Sequence, residues 1–302
     1  MNILFNYLIF PGFIFTAVAG LFASYVDRKV TARVQWRKGP PLLQPLYDFV
    51  KLLGKETMVP VGASKTTFLL APVFALTSIV IVSTIVWNTL LSPGKTFLGD
   101  LIVTVYLLTI PSIMIILSGF ASKNPLASIG ASREMKLILS YELPYLFAIL
   151  VPIIKSNSIR LGEIVQYQWT EGPFIGSVSG IIAVIVMVLC TQAKLGLVPF
   201  DMAEAEQEII AGPFIEYSGP PLGIFKLTKW SMLFVVPSLT VLLFFPALNF
   251  WGNILGYVVL LVVVVLIRNT NPRVRIDQAV RFFWTWVTLL SLISVVLASY
   301  GL

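Results

Sequence analysis

The stretch Phe68–Leu91, FLLAPVFALTSIVIVSTIVWNTLL, runs for 24 residues without one charged side chain. About 20 apolar residues in an α-helix cross the roughly 30 Å hydrocarbon layer of a bilayer, and inside that layer a helix satisfies all of its own backbone groups. The stretch therefore reads as a membrane span. Seven further segments share its character: Leu4–Tyr25, Leu101–Phe120, Leu137–Ile154, Ile175–Val198, Leu222–Phe245, Phe250–Ile267 and Phe282–Leu302.

Composition agrees. Charged residues make up 12% of the chain, about half the share in soluble domains, so lipid is the expected solvent. The fold class is an all-α integral membrane protein: one bundle of about eight transmembrane helices over residues 1–302, plus an interfacial helix described below. The first span lacks a basic leading region, is long for a secretory signal and precedes a dense basic loop, so it is expected to be retained. With no histidine and one cysteine, Cys190, the chain offers few ligands for iron–sulfur clusters, haem or zinc. No cofactor is expected on this chain. Cys190 lies in an apolar run and reads as a small core residue.

Charge sets the expected orientation. Of the 21 Lys and Arg, only Lys95, Lys155 and Arg160 fall on the side of the even-numbered loops, and the other 18 fall in or beside loops one, three, five and seven. The positive-inside rule then makes the odd loops cytoplasmic, with both termini outside a cell membrane. Orientation and anionic lipid account for the formal charge of +7 without nucleic acid.

Loop one, Val26–Thr67, contains Arg28, Arg33, Arg37 and Lys38. Its segment Gln44–Glu56 places Leu46, Phe49, Val50 and Leu53 at helical spacing, with Asp48, Lys51 and Lys55 between them. This is the pattern of an amphipathic helix in the membrane interface, either a surface anchor or the frame of a cavity entrance or docking surface. Loop three, Gly119–Met135, is interrupted by Gly and Pro and holds Arg133-Glu134, readable as a local ion pair. Beyond it, Ser140-Tyr141-Glu142-Leu143-Pro144 puts a carboxylate inside a span, where ionisable groups are costly and mark function by default. The alternative is a hydrogen bond from Glu142 to a helix opened by Pro144.

Loop five holds Asp201, Glu204, Glu206, Glu208 and Glu216 between Pro199 and Pro221, with no basic residue among them. Asp201 and Glu204 have the spacing of a capping box, and Glu204 and Glu208 would share a helical face where like charges repel. Crowded carboxylates beside lipid are expected to couple and to hold a proton near neutral pH, as a relay requires. A solvated acidic cap is the plainer alternative. Loop seven, Arg268–Gln278, is basic; Asp277 among its arginines predicts an ion pair to Arg275 or to loop one.

Taken in order, Arg37-Lys38-Gly39-Pro40, Asp48-Phe49-Val50-Lys51-Leu52-Leu53-Gly54-Lys55-Glu56, Ser140-Tyr141-Glu142, Pro199-Phe200-Asp201 to Glu206, Glu216-Tyr217-Ser218-Gly219 and Pro272–Gln278 resemble the complex I subunit that joins the peripheral arm to the membrane arm. The likeness covers essentially the whole chain. Gly130–Met135, Ala203–Glu208 and Gly212–Gly219 look most like the branch of that family in energy-converting membrane-bound [NiFe]-hydrogenases, formate hydrogenlyase and archaeal ferredoxin-linked hydrogenase or sulfur-reducing complexes. Ala203 and Pro213 depart from complex I proper, which weakens the case for quinone binding.

The resemblance implies a non-catalytic subunit of a respiratory oxidoreductase, foremost a ferredoxin-linked energy-converting membrane-bound [NiFe]-hydrogenase. Hydrogenase-like large and small subunits and an iron–sulfur subunit would dock on its cytoplasmic face, with the [NiFe] centre and iron–sulfur clusters on those partners. Small membrane subunits and antiporter-like subunits would lie beside it. It also implies a proton path through Glu134, Glu142, Asp201, Glu204, Glu206, Glu208 and Glu216, and a peripheral-arm interface of Arg28, Arg33, Arg37, Lys38, Lys55, Glu56, Arg133, Arg273, Arg275 and Asp277. The other readings are a quinone-reducing complex of the same family, a sulfur-reducing complex, and, from another class, a stand-alone ion-coupled transporter that would be purified without redox partners.

Overall fold

The computed structural model describes residues 3–94 and 96–302, and Lys95, counted above on the sparsely charged side, lies outside them. Among the described residues thirteen α-helices are formed: α1 Ile3–Leu8, α2 Phe13–Val34, α3 Gln44–Leu53, α4 Lys65–Leu91, α5 Asp100–Ala121, α6 Pro125–Ser156, α7 Leu161–Glu171, α8 Val178–Lys194, α9 Glu206–Ile209, α10 Gly219–Phe244, α11 Phe250–Thr270, α12 Ile276–Phe282 and α13 Thr288–Ser299. A π-helical turn, Phe283–Val287, joins the last two into one rod. Among the described residues seven helical stretches are long and apolar enough to cross a membrane, and α8 is a shorter apolar eighth.

Several boundaries differ from the expected ones. The first span does not stop at Tyr25: α2 continues to Val34, so Asp27, Arg28 and Arg33 ride on a helix rather than in a loop. Loop three shrinks because Asn124 accepts a hydrogen bond from the Leu126 N–H (2.9 Å) and Pro125 occupies the first helical turn, a favourable helix start. Glu134 and Glu142 therefore share one continuous helix. The fifth span is 17 residues long, not the expected 24, because it starts at Val178 and ends at Lys194. The amphipathic α3 forms as expected. On the opposite face α7 is an additional short helix; Asp100 accepts hydrogen bonds from the Leu101 and Leu161 N–H groups, both 2.8 Å, and so caps α5 and the start of α7 with one side chain.

The centre of the bundle is α10, whose Leu233, Phe234, Val235, Val236 and Leu239 are buried. Phe234 stacks on Trp87 of α4 (5.4 Å) and meets Phe15 of α2 and Tyr257 of α11 edge-on. In lipid such packing and interhelical hydrogen bonds, rather than burial from water, hold helices together. At Gly20 the backbones of α2 and α10 nearly touch: an added Cβ would lie 2.8 Å from the Ser231 nitrogen. Gly20→Val is expected to destabilise the protein by about 1–3 kcal/mol through overpacking, read as a lower melting temperature in detergent; an unchanged melting temperature would show that the two helices separate freely.

Candidate functional site

A cavity of about 1130 Å³ opens at the end of the bundle that carries the odd-numbered loops. Its walls come from α2, α6, α10, α11, the chain after α8, and loops five and seven. Twelve of its lining residues are charged, six of each sign.

Ion pairs tie these elements together. Arg268 at the end of α11 reaches Asp27 of α2 at 2.5 Å. Arg273 of loop seven grips Asp201 of loop five with two donors, its Nε at 2.7 Å, and the Val274 N–H donates to the Pro199 carbonyl at 3.0 Å. Arg133 of α6 meets Glu208 at 2.6 Å and also donates to the Met202 carbonyl at 3.2 Å. Lys229 of α10 pairs with Glu204 and lies over the Phe214 ring.

These pairings overturn three expectations. Asp201 does not cap a helix; its carboxylate is occupied by Arg273. Glu204 and Glu208 do not share a helical face, because Glu204 ends a 3₁₀ turn and Glu208 sits in the separate short α9. Their mutual repulsion is replaced by attraction to Lys229 and Arg133, so loop five is partnered rather than crowded. Arg133-Glu134 is not a local ion pair either: Arg133 turns to Glu208, while Glu134 points inward and is 7% exposed, with Ser112 and Lys229 facing it.

Loop five is seated by close backbone fit. A Cβ on Gly130 of α6 would fall 2.6 Å from Pro213 and 2.8 Å from the Ala203 carbonyl, and Gly119 of α5 leaves the Pro213 ring room on the other side. Gly212 adopts φ +50 in the same contact, a left-handed conformation that glycine tolerates best. Tyr217 stacks on Phe68 at 3.9 Å and donates to the Phe68 carbonyl at 2.9 Å; burial pushes its phenol up, so it remains a donor.

Behind the cavity wall lies a second charged group. Lys194, the last residue of α8, has a side chain 0% exposed and donates to Glu142 of α6 at 3.3 Å. Its ammonium also lies 4.5 Å from the Tyr145 ring centre and 5.4 Å from that of Tyr141, the geometry of cation–π contacts. The Glu142 carboxylate is thus held by Lys194 and not by a helix opened at Pro144.

The other expected residues divide. Glu206 lines the cavity, whereas Glu216 accepts from the Asn124 side chain at 2.6 Å, beyond the cavity lining. Arg33, Arg37, Lys38, Lys55 and Glu56 are exposed on loop one and its flanks, and Trp36 among them is 97% exposed. Asp277 approaches Arg275 at 3.8 Å with both groups mostly in solvent, a pair worth little; Arg273 and Val274 fix loop seven instead. Asp27, Lys194, Lys229 and Arg268 were not among the expected site residues. The signal for Lys194 and Lys229 was available in the sequence, since each is a charge bordering or inside an apolar run.

Arg28 clips α3 to α2 through Asp48 at 2.7 Å, and Gln44 donates to the same carboxylate at 2.8 Å. Partial burial alone raises the Asp48 pKa, but the hydrogen bonds from Arg28 and Gln44 and the nearby positive charge outweigh it and leave the carboxyl below its ordinary value of 3.8. A lowered carboxylate stabilises above its ordinary pKa and loses that contribution as pH falls through the lowered one. Amide exchange in α3 is therefore expected to quicken only below about pH 4; equal protection at pH 3 and pH 7 would show that the clip contributes nothing.

A model of the NADH dehydrogenase family matches residues 6–299, nearly the whole arrangement just described. The chain belongs to the NADH dehydrogenase subunit 1 family. An NADH-quinone oxidoreductase subunit of Helicobacter acinonychis is 33% identical over 94% of this chain and 93% of its own length. The corresponding subunit of Dehalococcoides mccartyi is 31% identical over 95% of this chain and 83% of its own. Among solved structures, a chain of the membrane-bound sulfane sulfur reductase, an archaeal respiratory membrane complex, superposes with a TM-score of 0.85 at 28% identity, covering 95% of this chain and 96% of that one. This family member is a multi-pass membrane subunit of a complex I-like respiratory complex.

Proposed function

We propose that this subunit serves a ferredoxin-linked, sulfur-reducing complex and turns a redox event in docked partners into proton movement. The observation that carries the reading is the cavity lining, half of it charged, with five opposed pairs among those charges. Small-molecule pockets are mostly apolar, and burying an isoprenoid tail against paired ions would forfeit their solvation. Such a lining suits water and protons. The whole-length likeness to the sulfane sulfur reductase chain supports the sulfur-reducing branch, and Ala203 and Pro213 count against quinone binding. The [NiFe] centre or other reducing site and the iron–sulfur clusters belong on partner subunits, docked against the exposed loop-one residues Arg33, Arg37, Lys38, Lys55 and Glu56 and against Arg275 and Asp277. The path runs from the cavity group of Glu204, Lys229 and Glu134 to Glu142, which borders the outward row Leu139, Leu143 and Leu146. Antiporter-like and small membrane subunits fit beside that row. The odd-numbered loops face the cytoplasm, with both termini outside.

The 33% identity to a quinone oxidoreductase subunit supports a second reading, quinone reduction. The intact complex, reduced by ferredoxin and offered polysulfide, a soluble quinone or protons in turn, separates the possibilities. Polysulfide reduction coupled to acidification of vesicles is the expected result; quinone reduction blocked by a cavity-binding inhibitor, or hydrogen evolution, would replace it with the quinone or the hydrogenase reading.

A further inference from the structure

The cavity and the lateral carboxylate do not meet. The chain that follows α8 lines the cavity from Leu195 to Val198, while Glu142, 22% exposed, opens sideways beside Leu139 and Leu143. Lys194 stands between them, fully enclosed and one residue behind the cavity wall. Among the described residues, two buried polar atoms of the same helical turn, Thr191 Oγ1 and Gln192 Oε1, have no protein partner, nor has the hydroxyl of Tyr145, whose ring lies near the ammonium. Buried polar atoms of this kind are ordinarily satisfied by water.

We infer that Lys194 is a proton carrier, handing protons from the cavity to Glu142, and not a fixed counter-charge. The inference rests on the coupling reading above and adds to it a basic member. In the resting pair Lys194 is an ammonium and Glu142 a carboxylate. Transfer from Nζ to Oε2 breaks one N–H bond, forms one O–H bond and leaves a neutral amine beside a neutral acid, so no net charge is created in a site of low dielectric. The acid then releases its proton towards the neighbouring subunit, and the amine takes another from water on the cavity side. One proton crosses per cycle and no electrons are involved. The titratable groups around the ammonium are Glu142, Tyr141 and Tyr145 of α6 and Cys190 of α8.

Lysine can give up its proton when buried, whereas arginine keeps its charge under all working conditions. The test uses the intact complex in vesicles, driven by reduced ferredoxin with polysulfide, with acidification and polysulfide turnover recorded together. Lys194→Arg and Lys194→Met are expected to lose at least tenfold in protons moved per turnover, while Lys194→His, which titrates near neutrality, restores part of the loss with a shifted pH profile. Pumping at the wild-type ratio by Lys194→Arg or Lys194→Met overturns the inference. Should Lys194→Arg fail to assemble, the His and Met variants decide: equal loss in both also overturns it. Glu142→Gln is the control for the underlying reading. If it pumps normally, the carboxylate path itself is wrong; if it is uncoupled while Lys194→Arg pumps, only the role of the lysine is lost.

Discussion

Gly130→Val is expected to unseat loop five and abolish proton movement. The new Cβ would lie 2.6 Å from Pro213, 2.8 Å from the Ala203 carbonyl and 2.8 Å from the Gly212 Cα. Two of these neighbours are backbone, and on the other side Pro213 packs towards Gly119 of α5, so no flexible side chain can give way. Overpacking of this type costs about 1–3 kcal/mol, occasionally more, but the functional loss should be larger than the loss of stability. Glu204 and Glu208 are positioned only through the seated loop, and a shift of an ångström breaks their pairs with Lys229 and Arg133. Protons moved per turnover should fall at least tenfold, with the peripheral subunits still bound. Retention of full pumping would mean that the seat does not position the carboxylates.

Lys229→Met should be nearly as severe. It removes the partner of Glu204 and the cation facing Glu134, leaving two carboxylates in or beside the interior. Deleting one member of a buried pair costs about 3–5 kcal/mol; Lys229 and Glu204 retain some solvent, so the lower end applies. Glu134 would then take up a proton to shed its charge, and a carboxylate locked in the acid form cannot relay. The expected phenotype is an assembled complex that turns over and moves few protons. Adding Glu204→Gln should recover stability without recovering pumping, because Glu134 still lacks its cation. Recovery of both would place the relay outside Glu134.

The bundle was legible in the sequence because hydropathy and charge asymmetry are one-dimensional signals. A run such as Phe68–Leu91 declares itself without knowledge of its neighbours. The amphipathic α3 declared itself in the same way, through the spacing of Leu46, Phe49, Val50 and Leu53. Helix ends were less legible. Asp27 and Arg28 resemble loop residues until Arg268 and Asp48 arrive as partners, and α8 stops at Lys194 because Gly196 turns left-handed and the Leu197 N–H folds back to the Gln192 carbonyl. Loop five was legible as chemistry and not as electrostatics: its carboxylates stand together in the chain, but Arg133, Lys229 and Arg273 come from segments up to 75 residues away. No local pattern reports such a meeting. The capping-box spacing of Asp201 and Glu204 misled for the same reason, since the arginine from loop seven competes successfully for Asp201.

The distances along the chain between paired charges also set an order of biogenesis. Asp27 waits 241 residues for Arg268, and Asp201 waits 72 for Arg273. A nascent chain arrested before the last two crossing segments thus exposes unneutralised carboxylates at the mouth of the half-built bundle. The final hairpin is what extinguishes them. Quality-control proteases that respond to unpaired charge at the lipid boundary would therefore see a chain truncated before Arg268 as unfinished, while the same hairpin, once inserted, makes the whole assembly competent to receive its soluble partners.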